Sequence, residues 1–98
     1  MLLGKVLGTV VSTQKTPKFS GFKLLYVQPF ASSGDKFVAQ GSAIVAADVV
    51  AAGEGEFVML TQGSSARLTE TTRDCPVDAV IVGIVDSVQL DGRRVDKP

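Results

Sequence analysis

Residues 2–13 read Leu-Leu-Gly-Lys-Val-Leu-Gly-Thr-Val-Val-Ser-Thr, and their side chains alternate in character from one position to the next. The even-numbered positions up to residue 10 are apolar but include Gly4 and Gly8, whereas the odd-numbered positions mix apolar with polar residues. A period of two predicts a β-strand, and glycines within it are typical of a bend or of a closely approaching backbone. The odd-numbered face is more apolar than a solvated strand needs, so we expect it to contact a second subunit. Its apolar members are Leu3, Leu7 and Val11.

Four segments further along the chain have the composition of strands. The first of these is expected to stop near Pro29, and the second contains Gly41, which marks a break or a bulge. Residues 46–52 are also compatible with a helical turn, but Gly53 and Gly55 leave too short a segment to sustain a helix. The last segment contains a continuous apolar run that is typical of a strand buried on both faces. The four segments are residues 22–30, 37–50, 56–61 and 77–90.

Polar segments connect these strands. Residues 31–36 are typical of a hairpin loop, residues 69–74 read as an exposed loop, and a serine near residue 64 can cap one or two short helical turns. We therefore predict an all-β fold, a small closed or nearly closed β-barrel formed by a single domain over residues 1–90. Residues 91–98 are predicted to form a polar C-terminal tail.

The composition limits what such a domain can do. A chain of 98 residues fits one compact domain, and at this size only roughly 60–65% of its surface can be buried within its own fold. Because 45% of the residues are hydrophobic, part of the apolar surface is expected to be buried by self-association. Ten basic and ten acidic residues cancel, so the chain lacks the positive field of a nucleic-acid binder.

The chain lacks the residue type on which many catalytic and metal sites depend. The chain has no histidine, which removes imidazole bases and imidazole metal ligands, and its single Cys75 can form neither an internal disulfide nor a multi-cysteine zinc site. We expect Cys75 to be a small, partly buried side chain in a reducing cytosol, and we expect no cofactor.

Residues 1–11 lack the features of a signal peptide, and the apolar run at 79–85 is far shorter than the roughly 20 residues of a membrane helix. The prediction is a soluble chain with no membrane partner.

Short motifs that resemble catalytic ones are weak. Ser12 to Lys15 match Ser-x-x-Lys, but they end a strand rather than lying on a helix of a larger domain. Gly53-Glu54-Gly55 lacks the third glycine of a dinucleotide fingerprint, because Val58 stands there. Carboxylates spaced closely in sequence are common at solvated turns, so we do not assign acid–base roles to them. The carboxylates concerned are the pairs Glu54 with Glu56 and Asp74 with Asp78.

Two features point toward contacts rather than chemistry. Asp86 interrupts an apolar segment, and a buried charge there would need a partner, for which Arg67 is the candidate and Lys5 the alternative. The segment Gly63-Ser64-Ser65-Ala66-Arg67 is compatible with a small-residue surface able to approach a symmetry axis and with an ordinary capped turn in which Arg67 pairs with a nearby acid, and the two interpretations do not exclude each other. Residue chemistry alone leaves both interpretations open.

Several blocks in a fixed order resemble the EutN/CcmL family of bacterial microcompartment shell vertex proteins. The resemblance extends over nearly the whole chain, and it is carried by the joint order and spacing of the blocks. They are Gly4-Lys5-Val6, Gly8-Thr9-Val10-Val11, Thr13-Gln14-Lys15, Lys23-Leu24-Leu25, Val27-Gln28, Gly53-Glu54-Gly55-Glu56, Gly63-Ser64-Ser65-Ala66-Arg67, Pro76-Val77-Asp78 and Gly83-Ile84-Val85-Asp86.

The resemblance implies a five-stranded, OB-like barrel that assembles into a homopentamer and fills the fivefold corners of a cytoplasmic shell tiled by hexameric shell proteins. It adds Val82 and Ile84 to the subunit-interface candidates, and it places the segment from Gly63 to Arg67 near the central axis, where Ser64 and Ser65 would line a narrow opening. Two positions depart from the family pattern, since glycine is common where Ala51 stands and tryptophan is frequent where Phe57 stands.

The alternative function is an OB-like binding module for a small ligand or single-stranded nucleic acid, which would need exposed aromatics above a basic groove.

Overall fold

The fold is defined by a computed structural model that describes residues 1–11, 23–63 and 79–98. Eight β-strands lie in these ranges, and no helix within them has the length and apolarity needed to cross a membrane. The strands are β1 (Leu2–Val10), β2 (Lys23–Ser33), β3 (Lys36–Ala39), β4 (Ile44–Asp48), β5 (Phe57–Gln62), β6 (Ala79–Ile84), β7 (Val88–Leu90) and β8 (Arg93–Val95).

Five of the strands close into a barrel. They are hydrogen-bonded in the order β1-β5-β6-β4-β2, and β2 pairs again with β1. The only parallel neighbours among them are β4 and β6, which meet through Ala47 with Val80 and Asp48 with Ile81. Strand β3 extends the sheet as a hairpin from β2. The prediction of an all-β, five-stranded barrel is confirmed, while the predicted helical turn near Ser64 lies outside the described residues.

The barrel interior is filled by aliphatic side chains from all five strands. Gly4 also faces this interior, and a Cβ built on it would lie 2.6 Å from Cγ1 of Val27 and 2.9 Å from the carbonyl oxygen of Gln28. The sequence-based expectation of a close approach at a glycine is therefore confirmed at Gly4. The largest fully buried side chains are Val6, Leu25, Val27, Val58, Leu60, Val80 and Ile81.

The strand boundaries differ from the sequence-based expectation after Pro29 and agree with it at Gly41. Strand β2 does not stop at Pro29 but continues to Ser33, and the Pro29 carbonyl still accepts a hydrogen bond from the backbone N of Gln40, 3.0 Å away. The predicted loop at residues 31–36 is therefore reduced to a turn at Gly34 and Asp35 between paired strands. The segment 37–50 forms two strands, β3 and β4, which are separated at Gly41 as the glycine predicted.

The apolar segment at residues 77–90 also divides, because β6 ends at Ile84 and β7 begins at Val88. Strands β7 and β8 form a separate two-stranded hairpin in which Val88 pairs with Val95. Val95 is buried although it lies in the range predicted to be a tail. The hairpin crosses residue 90, and the division of the chain into a domain and a tail stays a prediction.

A turn after β4 is braced by polar contacts. Asp48, which is 5% exposed, accepts a hydrogen bond from the backbone N of Val50 at 3.0 Å, and its other oxygen lies 3.8 Å from Nζ of Lys23. Lys23 also donates to the carbonyl oxygen of Ala52 at 3.2 Å. These contacts hold Ala51 in the left-handed region, with a φ of 60°. Left-handed backbone is costly for a residue with a Cβ.

Candidate assembly surface

The outer surface formed by β1 and β2 follows from strand alternation and from a bulge in β1. Lys5 on β1 lies opposite Gln28 on β2, and both side chains lie on the face opposite to the core residues Val6 and Val27. Between Val6 and Gly8 the register shifts, so that Leu7 is the extra residue of a β-bulge. The bulge leaves the Leu7 side chain on the outer face, where it is 44% exposed.

The next row of the outer face is apolar across three neighbouring strands. Gly8 on β1 lies opposite Tyr26 on β2, and Tyr26 lies opposite Val45 on β4. Tyr26 is 44% exposed and Val45 is 47% exposed. No heavy atom lies within 4 Å of the position that a Cβ on Gly8 would take, so the surface beside the Tyr26 ring is open. We call Leu7, Gly8, Tyr26 and Val45 the outer apolar row.

A second apolar row runs parallel to it. Leu24 on β2 lies opposite Val10 on one side and Ala47 on the other, and Ala47 pairs with Val80 on β6. Ala47 and Val80 are fully buried and form a small cluster outside the main core, against which Val82 packs. The outer apolar row is therefore the exposed margin of a larger apolar area on this side of the barrel.

The predicted interface residues lie at several places on the barrel. Leu3 is half-buried on the outer face of β1, Leu7 is in the outer apolar row, and Val11 follows β1 with 88% exposure. On β6, Val82 is half-buried, whereas Ile84 pairs with the core residue Val58 and therefore lies on the interior face of the sheet, although it is exposed. Strands β1 and β6 are not paired with each other, so these residues form two groups on different strands.

Sequence reasoning missed Tyr26 and Val45. Both lie in segments that were recognised as strands, and the sequence signal for Tyr26 was the presence of apolar residues on both faces of its strand. The neighbours that make them a surface feature are fixed by pairing among three strands that are distant in sequence. That pairing is not encoded in any local pattern.

The predicted axis segment begins at the end of β5. Gly63 is exposed and adopts a left-handed φ of 66°, whereas Ser64, Ser65, Ala66 and Arg67 lie outside the described residues. Asp86 is exposed between β6 and β7, and the only ion pair between described residues joins Lys23 to Asp48. The pair of Arg67 with Asp86 therefore stays a prediction, as does the location of the axis segment. Cys75, Asp74 and Asp78 also lie outside the described residues.

Neither a cluster of metal-ligating side chains nor an exposed aromatic platform is found among the described residues. Across the described ranges, no three Cys, Asp or Glu side chains come close enough together to hold a metal ion. The aromatic rings of Phe30 and Phe37 pack on Phe57, with centroids 6.2 Å and 5.1 Å from its ring, and Phe57 is buried. Packed together in this way, the three rings do not form the exposed stacking platform that single strands of nucleic acid require.

Comparison with known proteins gives a consistent result over nearly the whole chain. A family profile described as "Ethanolamine utilisation protein EutN/carboxysome" matches residues 1–86. The chain is 48% identical over 90 residues to the carboxysome shell vertex protein CcmL of Synechocystis sp., covering 92% of this chain and 87% of that protein. It is also 48% identical over 89 residues to the shell vertex protein GrpN of Rhodospirillum rubrum, covering 91% and 97% respectively.

Solved structures show the same fold. The structure of CcmL from Gloeobacter violaceus superposes with a TM-score of 0.85 at 42% identity, covering 96% of this chain and 94% of that one. GrpN from Rhodospirillum rubrum, which is described as a pentameric microcompartment shell protein, superposes with a TM-score of 0.76 at 46% identity, covering 92% of this chain and all of that one.

Proposed function

The chain belongs to the EutN/CcmL family, and on that basis we propose that five copies form a ring that closes the corners of a bacterial microcompartment shell. The observation that carries this proposal is the close match to GrpN, a relative that is itself a pentameric shell protein. The proposal is also supported by the closed barrel, which leaves an apolar area on its outer face that a neighbouring copy can cover.

A fivefold ring requires a heterologous interface. One surface of each copy contacts a different surface of the next copy, and the repeated rotation closes after five subunits. The two groups of interface candidates on different strands fit this requirement. We propose Leu3, Leu7 and Val11 as one side of the contact and Val82 and Ile84 as the other.

The shell role is geometric. A flat layer of hexameric proteins cannot close into a polyhedron, so a fivefold unit has to be inserted at each corner. The proposed neighbours of the ring are therefore hexameric shell proteins, and its proposed location is the shell of a compartment within the cytoplasm. The segment from Gly63 to Arg67 is proposed to approach the ring axis, with Ser64 and Ser65 lining a narrow opening there.

We propose that the protein acts by assembly and not by catalysis. Its relatives are named as shell vertex proteins, and the described part of the chain presents apolar surface in place of a constellation of reactive side chains. Burial of apolar surface is the dominant driving force of subunit association.

The test of this function is the shape of the shells in the host cell. In a strain that lacks this protein and any paralogue, electron microscopy is expected to show elongated or unsealed shells, and expression of the wild-type chain should restore closed polyhedra. Sealed particles with normal corners in the deletion strain would overturn the proposal.

A further inference from the structure

We infer that the outer apolar row, with Tyr26 at its centre, is buried by a second copy of this chain in the ring. This inference rests on the proposed function, because it specifies the surface through which the subunits meet. In this row, Gly8, Tyr26 and Val45 pair side by side on β1, β2 and β4, and Leu7 is the bulge residue next to Gly8.

Exposed apolar side chains are concentrated in the outer apolar row. Leu7, Tyr26 and Val45 are each between 44% and 47% exposed. The strand register places Tyr26 beside Val45, and Leu7 directly precedes Gly8, the residue opposite Tyr26. Single exposed apolar side chains are ordinary, but side chains that line up across several strands mark an interaction surface. The row also continues into the second apolar row, in which Ala47 and Val80 are already covered.

The side chains of the outer apolar row have the chemistry of a subunit interface. The outer apolar row contains no charged residue, as expected for the centre of a subunit interface, where charged side chains are depleted and tyrosine is enriched. Gly8 leaves open space beside the Tyr26 ring, so a side chain from outside can pack against the ring while the phenol hydroxyl keeps a polar contact. The surface suits a protein neighbour.

The neighbour that covers the outer apolar row is inferred to be another copy of this chain. GrpN, which matches 92% of this chain with the same fold, is a pentameric protein. In a ring, every copy must bury surface against two neighbours, and this row is the largest group of adjacent exposed apolar side chains among the described residues. The other large exposed apolar residues in those ranges are scattered. Val38 and Ile84 lie on separate strands, β3 and β6, and Met1 and Val11 flank the two ends of β1.

The protein carries a built-in probe of this surface. Tyr26 is its only tyrosine and it has no tryptophan, so the intrinsic tyrosine fluorescence reports on Tyr26 alone. Acrylamide quenching of wild-type fluorescence should be weak at concentrations where the ring is intact and should increase as dilution dissociates it. Equal quenching of the ring and of the dissociated subunits would overturn the inference.

A matched pair of variants tests the same surface by mutation. Val45→Glu places a charge in the outer apolar row, and Val38→Glu places the same charge on β3 at a valine of similar exposure, 47% against 40%. Native mass spectrometry at a series of concentrations should show the ring of the Val45→Glu variant dissociating at least about tenfold more readily than wild type. The Val38→Glu ring should match the wild type. Far-UV circular dichroism checks that both variants fold.

The outcomes separate this inference from the proposed function. If the wild type does not form a pentamer, the proposed function fails. If the wild type is a pentamer and Val45→Glu is no weaker than Val38→Glu, the inference fails and the proposed function stands. Should Val45→Glu fail to fold, the quenching of wild-type Tyr26 decides the question.

Discussion

Replacing Ala51 with glycine should stabilise the protein, although the substitution removes a methyl group. Ala51 is exposed and has a φ of 60°, so its Cβ makes no core contact and its backbone lies in the left-handed region. The position is held there by the braced turn, in which Asp48 and Lys23 bind the backbone of Val50 and Ala52. The strain at Ala51 is therefore imposed by its neighbours.

The expected gain follows from two opposing terms. An L-residue with a Cβ loses roughly 1–2 kcal/mol in the left-handed region, whereas glycine occupies it freely. Glycine in turn costs about 0.5–1 kcal/mol more backbone entropy on folding than alanine. The difference predicts that Ala51→Gly raises the free energy of unfolding by about 0.5–1 kcal/mol.

Urea unfolding followed by circular dichroism measures this change. All variants must be compared at the same protomer concentration, because dissociation contributes to the stability of an oligomer. Ala39→Gly is the control, since Ala39 is also exposed but lies in β3 without a positive φ, and glycine there should destabilise the protein. The reasoning is refuted if Ala51→Gly unfolds at the same or a lower urea concentration than the wild type.

Three further substitutions test other parts of the structure. Gly4→Ala should destabilise the barrel by about 1–3 kcal/mol in urea unfolding, because its Cβ would lie 2.6 Å from Val27 Cγ1; wild-type stability would contradict the packing described. Asp48→Ala should cost about 1–3 kcal/mol by the same measurement, since the Val50 N–H loses its buried acceptor, and a loss below about 0.5 kcal/mol would show that the brace is unimportant. Leu7→Asp should abolish the ring while circular dichroism shows a retained barrel; an intact ring by light scattering would exclude Leu7 from the interface.

Local pattern was sufficient to identify most strands because it carries the period of a sheet. Alternation in residues 2–13 located β1 and its core face. Gly41 marked the division of the segment 37–50, where the chain turns with a positive φ. The alternation of side chains did not predict the structure where a bulge or a strand end interrupts the two-residue period. The bulge at Leu7 and the end of β6 before Asp86 both depend on pairing with distant strands. An acidic residue within an apolar run marked the end of that strand.

The candidate surface was only partly predictable for the same reason. Excess apolar character on the odd-numbered face of β1 drew attention to Leu7, which the structure leaves exposed, and its contact with a second subunit stays a prediction. Tyr26 and Val45 could not be added from sequence, because they become neighbours of Leu7 only when β2 pairs with both β1 and β4. A surface that spans three strands is a property of register, and register is set by the whole barrel.

The number of subunits in the assembled protein is the most direct test of the account. Native mass spectrometry of the wild-type chain at micromolar concentration should find a species of about 51 kDa, five times the 10.2 kDa of one protomer. A stable monomer under those conditions would contradict self-association through the apolar outer face. A closed ring with a different number of subunits would contradict the role at fivefold corners.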